Sequence, residues 1–265
     1  MSLRVIRKDK EILIFPVLSG LITILILGSF IAGMFFTGGL SGIDDASNNW
    51  VFYVFFAVFY FVSFFVAIFF NACIIGCATM RMNGGDPTVK DGLRIASQNI
   101  GRILAWALIA ATVGLIIRAV QERVGMLGKF ILGAIGVAWT IVTYFVVPVL
   151  IYEQTGPWGA VKRSASILKK TWGEALVGNL GMGIIFGLLA IPGLLAIFFG
   201  IYGIFAWGVA VGIALFAIAL VYLLVVAVVG SAAESVLVAA LYRFATTGKV
   251  SEEFQQFSFQ QPFVK

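Results

Sequence analysis

Few residues in this chain could do acid–base or nucleophilic chemistry. The chain has no histidine, so general acid–base catalysis would depend on carboxylates and lysines. Ser166 and Lys169 have the S-x-x-K spacing of a serine nucleophile and a lysine base, but the S-D-N and K-T-G motifs that complete such a site are absent. P-loop, H-E-x-x-H and G-x-S-x-G motifs are absent as well. The sequence therefore predicts a non-enzyme with no catalytic residues and no cofactor.

No metal site is predicted either. Cys73 and Cys77 lie one helical turn apart, which is poor geometry for a disulfide within a helix. Two thiols without a histidine are too few ligands for a structural zinc ion. We expect both cysteines to be buried free thiols that behave as small apolar residues.

Long apolar blocks separate the ionisable residues of the chain. Hydrophobic residues make up 61% of the 265 residues and charged residues 11%, against about 25% charged residues in a soluble domain. Residues 176–233 contain no charged residue, and as one helix they would reach about 87 Å, far beyond the roughly 30 Å of a hydrocarbon core. This block must therefore cross a membrane twice. The sequence predicts an all-α, polytopic integral membrane protein that binds neither nucleic acid nor a soluble small-molecule substrate.

Six transmembrane helices account for the apolar blocks. They are predicted at residues 12–36, 50–80, 103–120, 130–152, 175–199 and 205–241. Together they form a transmembrane domain at residues 1–245, which is followed by a cytoplasmic tail at residues 246–265. Gly200 and Gly203, with the nearby Trp207, predict the turn between the last two spans.

The Lys and Arg residues orient these spans. Fifteen of the 18 lie at the N-terminus, in the loops at residues 81–102 and 153–174, and after the end of span 6, all on one side of the membrane. The other side carries Arg118, Arg123 and Lys129. Because cytoplasmic loops carry the excess of basic residues, the basic side is the cytoplasmic one. We expect a multi-pass protein of the plasma membrane with both termini in the cytoplasm.

Each basic inner loop predicts a short amphipathic helix at the cytoplasmic interface, at about residues 87–101 and 157–172. Pro87 and Pro157 stand where such helices begin. In the second helix, the apolar residues that recur at helical spacing are Trp158, Val161, Ala165, Leu168 and Trp172. The order span, amphipathic helix, span thus occurs twice, and a true duplication and a coincidence both stay open.

Polar residues within the spans fall near the inner interface rather than at the midplane. A helix crosses about 30 Å in roughly 20 residues, so Asn71 lies in the inner leaflet and Glu234 at the inner interface. Glu153 and Glu174 flank the second interfacial helix. Because an ionisable residue at the midplane would mark an ion pathway, this placement counts against a proton- or sodium-coupled transporter.

Glycines in the last two spans predict close helix packing. Gly183 and Gly187 in span 5, and Gly208 and Gly212 in span 6, form G-x-x-x-G steps that let helix backbones approach each other. Two alternatives stay open: the spans pack on each other, or they form the face of a homo-oligomer. Pro192 predicts a kink in span 5.

The second inner loop also carries a recognisable pattern. Its residues are Pro148-Val-Leu-Ile-Tyr-Glu153, Gly156-Pro157, Ala160-Val-Lys-Arg-Ser164 and Trp172-Gly173. The pattern resembles that of poorly characterised polytopic membrane proteins of bacteria and archaea. It is similar to the membrane domain that precedes the catalytic domain in some glycerophosphodiester phosphodiesterases. No catalytic domain accompanies it in this sequence, so the resemblance implies a membrane module and transfers no active site.

We interpret the protein as a non-enzymatic membrane module whose basic cytoplasmic face engages anionic lipid or a partner. The candidate headgroup-binding residues are Arg94, Arg102, Lys162, Arg163, Lys169 and Lys170. Plain positive-inside topology explains the same charges without any lipid specificity. A channel or transporter, formed by one chain or by oligomerisation, is the main alternative function. An enzyme at the membrane interface is the third.

Overall fold

The structure is a computed structural model that describes residues 5–7, 9–36 and 50–248. These residues form helices and no strand. A short 3₁₀ helix, Lys10–Leu13, leads into eight α-helices within the described ranges. They are α1 (Ile14–Phe36), α2 (Trp50–Met82), α3 (Val89–Gln98), α4 (Ile100–Arg123), α5 (Met126–Val142), α6 (Val146–Tyr152), α7 (Pro157–Ala206) and α8 (Val209–Thr247).

Six helical segments in the described part of the chain are long and apolar enough to cross a membrane. They are Lys10–Phe36, Tyr53–Met82, Ile100–Arg123, Met126–Tyr152, Gly178–Ala206 and Val209–Thr247. Their outward surfaces are apolar, since Leu25 is 71% exposed, Leu188 60% and Ile218 65%. Apolar patches of this extent suit contact with lipid and not with water. For the described residues, the prediction of an all-helical chain with six helices long and apolar enough to cross a membrane is confirmed.

The buried core lies at one end of the bundle, the end that carries the basic loops. Its fully buried side chains include Phe15 at the start of α1, Ile75 on α2, Ile103 on α4 and Val236 on α8. The short helix α6 is buried almost throughout, at Val146, Val149 and their neighbours. At the opposite end of the bundle the same long helices expose most of their side chains. The rigid, protein-packed part of the molecule is therefore the part that holds the candidate site.

The predicted fourth span, residues 130–152, is interrupted in the structure. Helix α5 ends at Val142 and α6 begins at Val146, with non-helical backbone between them. Pro148 explains the break, because proline has no N–H to donate and its ring clashes with the carbonyl oxygen four residues earlier. Proline is tolerated in the first turn of a new helix, which is where Pro148 lies in α6.

The second predicted interfacial helix and span 5 form one continuous element. Helix α7 runs from Pro157 to Ala206, and its non-helical dihedral angles fall at Thr171 (φ −121°, ψ 22°). The Thr171 hydroxyl donates to the carbonyl oxygen of Ile167 at 3.1 Å. The predicted boundary between the two helices is therefore a bend within α7. The predicted kink residue, Pro192, lies inside α7 without such a departure.

The turn between spans 5 and 6 lies later than predicted. Helix α7 continues through Gly200 and Gly203, and the turn falls at Trp207 and Gly208. Gly208 has a φ of 101°, a conformation that favours glycine. The earlier glycines serve packing instead, since a Cβ on Gly200 would lie 3.1 Å from the backbone nitrogen of Phe216. Glycine as a turn signal and glycine as a packing signal look the same in a sequence.

Two parts of the domain prediction lie outside the described residues. They are the first connection, at residues 37–49, and the predicted tail beyond Gly248. Helix α8 continues past the predicted end of span 6 to Thr247, where Gly248 with a φ of 68° closes it.

Candidate functional site

A helix occupies each of the two basic inner loops, and both pack on protein. Helix α3 approaches α2 and the N-terminal segment so closely that a Cβ on Gly92 would lie 2.5 Å from Phe15 and 2.8 Å from the sulfur of Cys77. The first part of α7 buries Ala160, Ser164 and Ile167. The predicted apolar face of this helix is rotated from the one observed, because Trp158 is 62% exposed.

Ser164 decides which face of α7 is buried. Its hydroxyl accepts a hydrogen bond from the N–H of Phe145 at 2.9 Å and donates one to the carbonyl oxygen of Val142 at 2.6 Å. These two backbone groups lose their helical partners at the break between α5 and α6. A buried backbone group without a partner costs free energy, so the serine is held against the break. Hydrophobic periodicity carries no signal for such a buried polar residue.

Arg163 and Glu153, both named from the sequence, form an ion pair. The Nε of Arg163 lies 2.8 Å and 2.9 Å from the two carboxylate oxygens of Glu153. The Tyr242 hydroxyl donates to Oε1 of the same carboxylate at 3.2 Å. The hydrogen bond to Glu153 raises the pKa of Arg163 above its usual value. The cluster joins the ends of α6 and α8 to the start of α7, so the charge of Arg163 is already compensated.

Arg94 is compensated in a similar way on α3. Its Nη2 donates to Oδ1 of Asp91 at 2.8 Å. Asp91 also closes the N-terminus of the helix, because its Oδ2 accepts from the N–H of Thr88 at 3.1 Å while its own N–H donates to the Thr88 hydroxyl at 3.3 Å. The hydrogen bonds from Thr88 hold the pKa of Asp91 below its usual value.

A third arginine cluster was not anticipated from the sequence. Arg81, at the end of α2, donates from Nε and Nη2 to both carboxylate oxygens of Asp9, and Nη2 lies 2.6 Å from Oδ1 of Asp86. Asp9 is 6% exposed. Beside it, Glu11 accepts from the N–H of Val89 at 2.9 Å. These contacts fasten the N-terminal segment to the inner end of the bundle, a pairing between residues 72 positions apart that periodicity does not reveal.

Arg102 differs from these three arginines because its partner is neutral. Its Nη1 donates to the side-chain oxygen of Asn99 at 2.6 Å. The side chain lines a cavity of about 420 Å³ between the end of α3, the start of α4 and the turn after α6. The cavity is lined by Ile95, Gln98, Asn99, Arg102, Ile151, Tyr152 and Gln154.

The three candidate lysines lie exposed on the first part of α7. Lys162 and Lys169 are about two helical turns apart and therefore share a face, which Lys170 flanks. Among the described residues, none of the three lies in an ion pair with a carboxylate. The exposed indole of Trp158 lies one turn before Lys162 on the same face.

The remaining predicted interfacial residues, Asn71, Glu234 and Glu174, do not join the arginine clusters among the described contacts. Asn71 donates to the Ser235 hydroxyl at 3.1 Å, which joins α2 to α8. Glu234 is exposed on α8 and has no ion-pair partner among the described side chains, so the structure does not bring it to an inner-loop base. The side chain of Glu174 lies outside the described part of the structure.

The four predicted packing glycines have three different surroundings. A Cβ on Gly212 would lie 2.7 Å from the carbonyl oxygen of Gly200, so this glycine permits the close approach of α8 to α7. A Cβ on Gly183 or Gly187 would have no neighbouring atom within 4 Å, so these two face outward from the chain. Gly208 serves the turn. A homo-oligomer through spans 5 and 6 stays a prediction.

Potential catalytic residues are not assembled into a site in the described part of the structure. Ser166 and Lys169 are both exposed on α7, and no described hydrogen bond joins them. Cys73 and Cys77 are buried free thiols, 0% and 2% exposed. No group of three or more His, Cys, Asp or Glu side chains in the described ranges is arranged to hold a metal ion. The end of the bundle that carries the basic loops instead presents cationic and amide groups beside an apolar surface.

Six apolar helices, long enough to cross a membrane, around a core packed at one end are typical of a multi-pass helical membrane protein. The chain belongs to a family of unknown function, DUF6159, whose model matches residues 50–252. No curated protein and no solved structure matches the chain. No relation to the membrane domain of glycerophosphodiester phosphodiesterases is found, and that resemblance stays a prediction.

Proposed function

We propose that the protein is a non-enzymatic membrane module whose basic cytoplasmic face engages anionic lipid headgroups. The observation that carries the proposal is the exposure of Lys162, Lys169 and Lys170 on one face of α7, where none of them forms an ion pair with a described side chain. Arg94 and Arg163 already lie in ion pairs with carboxylates, Arg94 within its own helix and Arg163 with Glu153 ten positions earlier. The candidate set therefore divides into two structural arginines and four residues with charge left to offer, the fourth being Arg102.

The surroundings of the lysines favour a membrane surface as their partner. Trp158 is exposed on the same face, and tryptophan is the side chain that most suits the headgroup level because its ring is apolar and its N–H is polar. Each lysine contributes about 1 kcal/mol near an anionic leaflet. The lysines begin the same helix that crosses the membrane after the bend at Thr171, so their height above the bilayer is restricted.

The experiment compares lipid composition around two triple variants. The full chain is reconstituted in nanodiscs from an equimolar mixture of phosphatidylglycerol and phosphatidylcholine, and the retained lipids are measured after delipidation. We expect Lys162→Gln, Lys169→Gln and Lys170→Gln together to lower the enrichment of phosphatidylglycerol by several fold. The matched control is Arg118→Gln, Arg123→Gln and Lys129→Gln, which removes the same charge at the predicted outer side. Equal enrichment in wild type and both variants would overturn the proposal.

We also propose that the protein does not catalyse a reaction and does not conduct ions. The exposed positions of Ser166 and Lys169, which no described hydrogen bond joins, support the first part. The predicted placement of the ionisable residues near the membrane interfaces supports the second. Purified protein in liposomes should leave the phospholipids chemically intact and should not raise ion flux above that of protein-free liposomes. A flux that scales with the amount of protein would favour the channel or transporter alternative.

A further inference from the structure

The cavity beside Arg102 has the size and the position of a binding site for one headgroup. Its volume of about 420 Å³ lies within the roughly 300–1,000 Å³ typical of small-molecule sites. It opens where α3 ends and α4, a candidate membrane span, begins. In the predicted orientation this is the cytoplasmic headgroup level.

Arg102 is held in place by a buried amide. The Asn99 side chain is 8% exposed, and its Nδ2 donates to the carbonyl oxygen of Ile95 at 2.9 Å. This bond leaves the Asn99 oxygen to accept from Arg102 at 2.6 Å. The position of the guanidinium group is therefore set before any ligand arrives, which reduces the entropy lost on binding.

The charge of Arg102 is available to a ligand. A guanidinium group has five N–H donors, and the bond to Asn99 uses one of them. No carboxylate among the described residues forms an ion pair with Arg102, in contrast to Arg81, Arg94 and Arg163. Planar, paired N–H groups of this kind match the oxygen atoms of a phosphate.

The rest of the lining fits a phosphodiester that carries a glycerol backbone. The amide groups of Gln98 and Gln154 add neutral donors to a lining that is mainly polar, and Ile95, Ile151 and the ring of Tyr152 form a smaller apolar wall. Tyr152 is fixed from behind, since its ring stacks on that of Tyr242 at a centroid distance of 6.0 Å. An inorganic phosphate ion would leave the apolar wall unused, whereas a lipid would cover it.

From these contacts we propose that the cavity binds the phosphate-bearing headgroup of one anionic phospholipid, with Arg102 as its anion-binding residue. The inference rests on the proposed function and makes it specific. The lysines of α7 attract anionic lipid without a defined geometry, whereas the Arg102 cavity holds one molecule in one place. The two contributions are therefore separable by substitution.

The test is native mass spectrometry of the full chain released from detergent micelles in the presence of phosphatidylglycerol. We expect one tightly retained phosphatidylglycerol per chain, and about tenfold weaker retention in Arg102→Gln. Arg102→Lys should lie between the two, because an ammonium group keeps the charge but loses the paired geometry. Lys90→Gln is the matched control: it removes one charge from an exposed position on α3 outside the cavity and should leave retention unchanged.

A second variant keeps the test independent of folding. Gln98 is exposed at the rim of the cavity, so Gln98→Glu should fold normally and should expel the anionic headgroup by placing a negative charge there. Retention of the lipid by both Arg102→Gln and Gln98→Glu would overturn the inference. Equal retention of phosphatidylcholine would overturn it too, as would binding of inorganic phosphate or glycerol phosphate as strong as that of the lipid.

The failure of this inference differs from failure of the proposed function. If the triple lysine variant lowers the general enrichment of anionic lipid but Arg102→Gln leaves the single tight lipid in place, the cavity assignment is wrong and the proposed function stands. If the tight lipid depends on Arg102 but the triple lysine variant leaves general enrichment unchanged, the cavity assignment stands. The proposal that the lysines of α7 attract anionic lipid is then wrong.

Discussion

Ser164 supplies the two hydrogen bonds that the interrupted fourth span would otherwise lack. We predict that Ser164→Ala lowers the free energy of unfolding by about 1–3 kcal/mol, because it leaves the buried N–H of Phe145 and carbonyl of Val142 without a partner. Thermal unfolding in detergent micelles measures the change. Ser166→Ala, at an exposed position on the same helix, is the control and should change stability by less than about 0.5 kcal/mol. Equal effects of the two variants would contradict this role.

Neighbouring basic residues of equal charge differ in whether a carboxylate lies beside them. Arg163 donates to both oxygens of Glu153, whereas Lys162, its neighbour in the chain, is exposed and lies in no described ion pair. Both have the same formal charge and the same weight in a topology argument. The contact with a carboxylate, and not the charge, decides whether a residue stabilises the fold or remains free for a ligand.

Helices α7 and α8 form a hairpin, and glycines at their contact let the two backbones approach closely. We predict that Gly212→Ala lowers the free energy of unfolding by about 1–3 kcal/mol, because its Cβ would lie 2.7 Å from the backbone oxygen of Gly200. Gly187→Ala is the control on the neighbouring helix. Its Cβ would meet no atom within 4 Å, so alanine should be neutral or should stabilise the helix by a few tenths of a kcal/mol.

The same pair of variants addresses the outward glycines. If Gly187→Ala instead destabilises the protein or changes its oligomeric state in size-exclusion chromatography with light scattering, its face is covered by a second copy in solution. If Gly212→Ala is harmless, the close approach of α7 and α8 is contradicted. Both measurements use the full chain.

The charge distribution predicts the orientation of the whole molecule in the membrane. We predict that a cysteine placed by Ser166→Cys on α7 reacts with a membrane-impermeant maleimide only after cell lysis, and that Gly125→Cys, between α4 and α5, reacts in intact cells. Both positions are exposed in the structure. The native Cys73 and Cys77 are buried and should contribute little background. Labelling in the reverse pattern would place the basic end outside.

The packed core and the candidate site occupy the same end of the molecule. Helix α6, the starts of α4 and α7 and the end of α8 meet there, and the Arg102 cavity is walled partly by the residues that the Glu153 cluster holds. The opposite end presents mainly side chains suited to lipid. The proposed binding surface therefore lies on the most densely packed part of the bundle, which is where a site needs its supporting contacts.

The sequence by itself determined the class of this protein and its apolar helices. Hydropathy adds up along a chain, so a block such as residues 176–233 predicts membrane-spanning helices without any knowledge of which segments pack beside it. Positions that depend on local chemistry alone, such as the helix start at Pro157, can also be predicted from the sequence.

Only the tertiary structure decided which polar groups meet. Asp9 and Arg81 are 72 positions apart, and Tyr242 and Glu153 are 89 apart, so no spacing rule links them. The hydrogen bond from Arg102 to Asn99 spans three positions and is local, so docking decides only which distant side chains come near Arg102. The break itself follows from Pro148, whereas the position of Ser164 beside it follows from docking, because a hydrogen bond between distant segments exists only once the bundle has assembled.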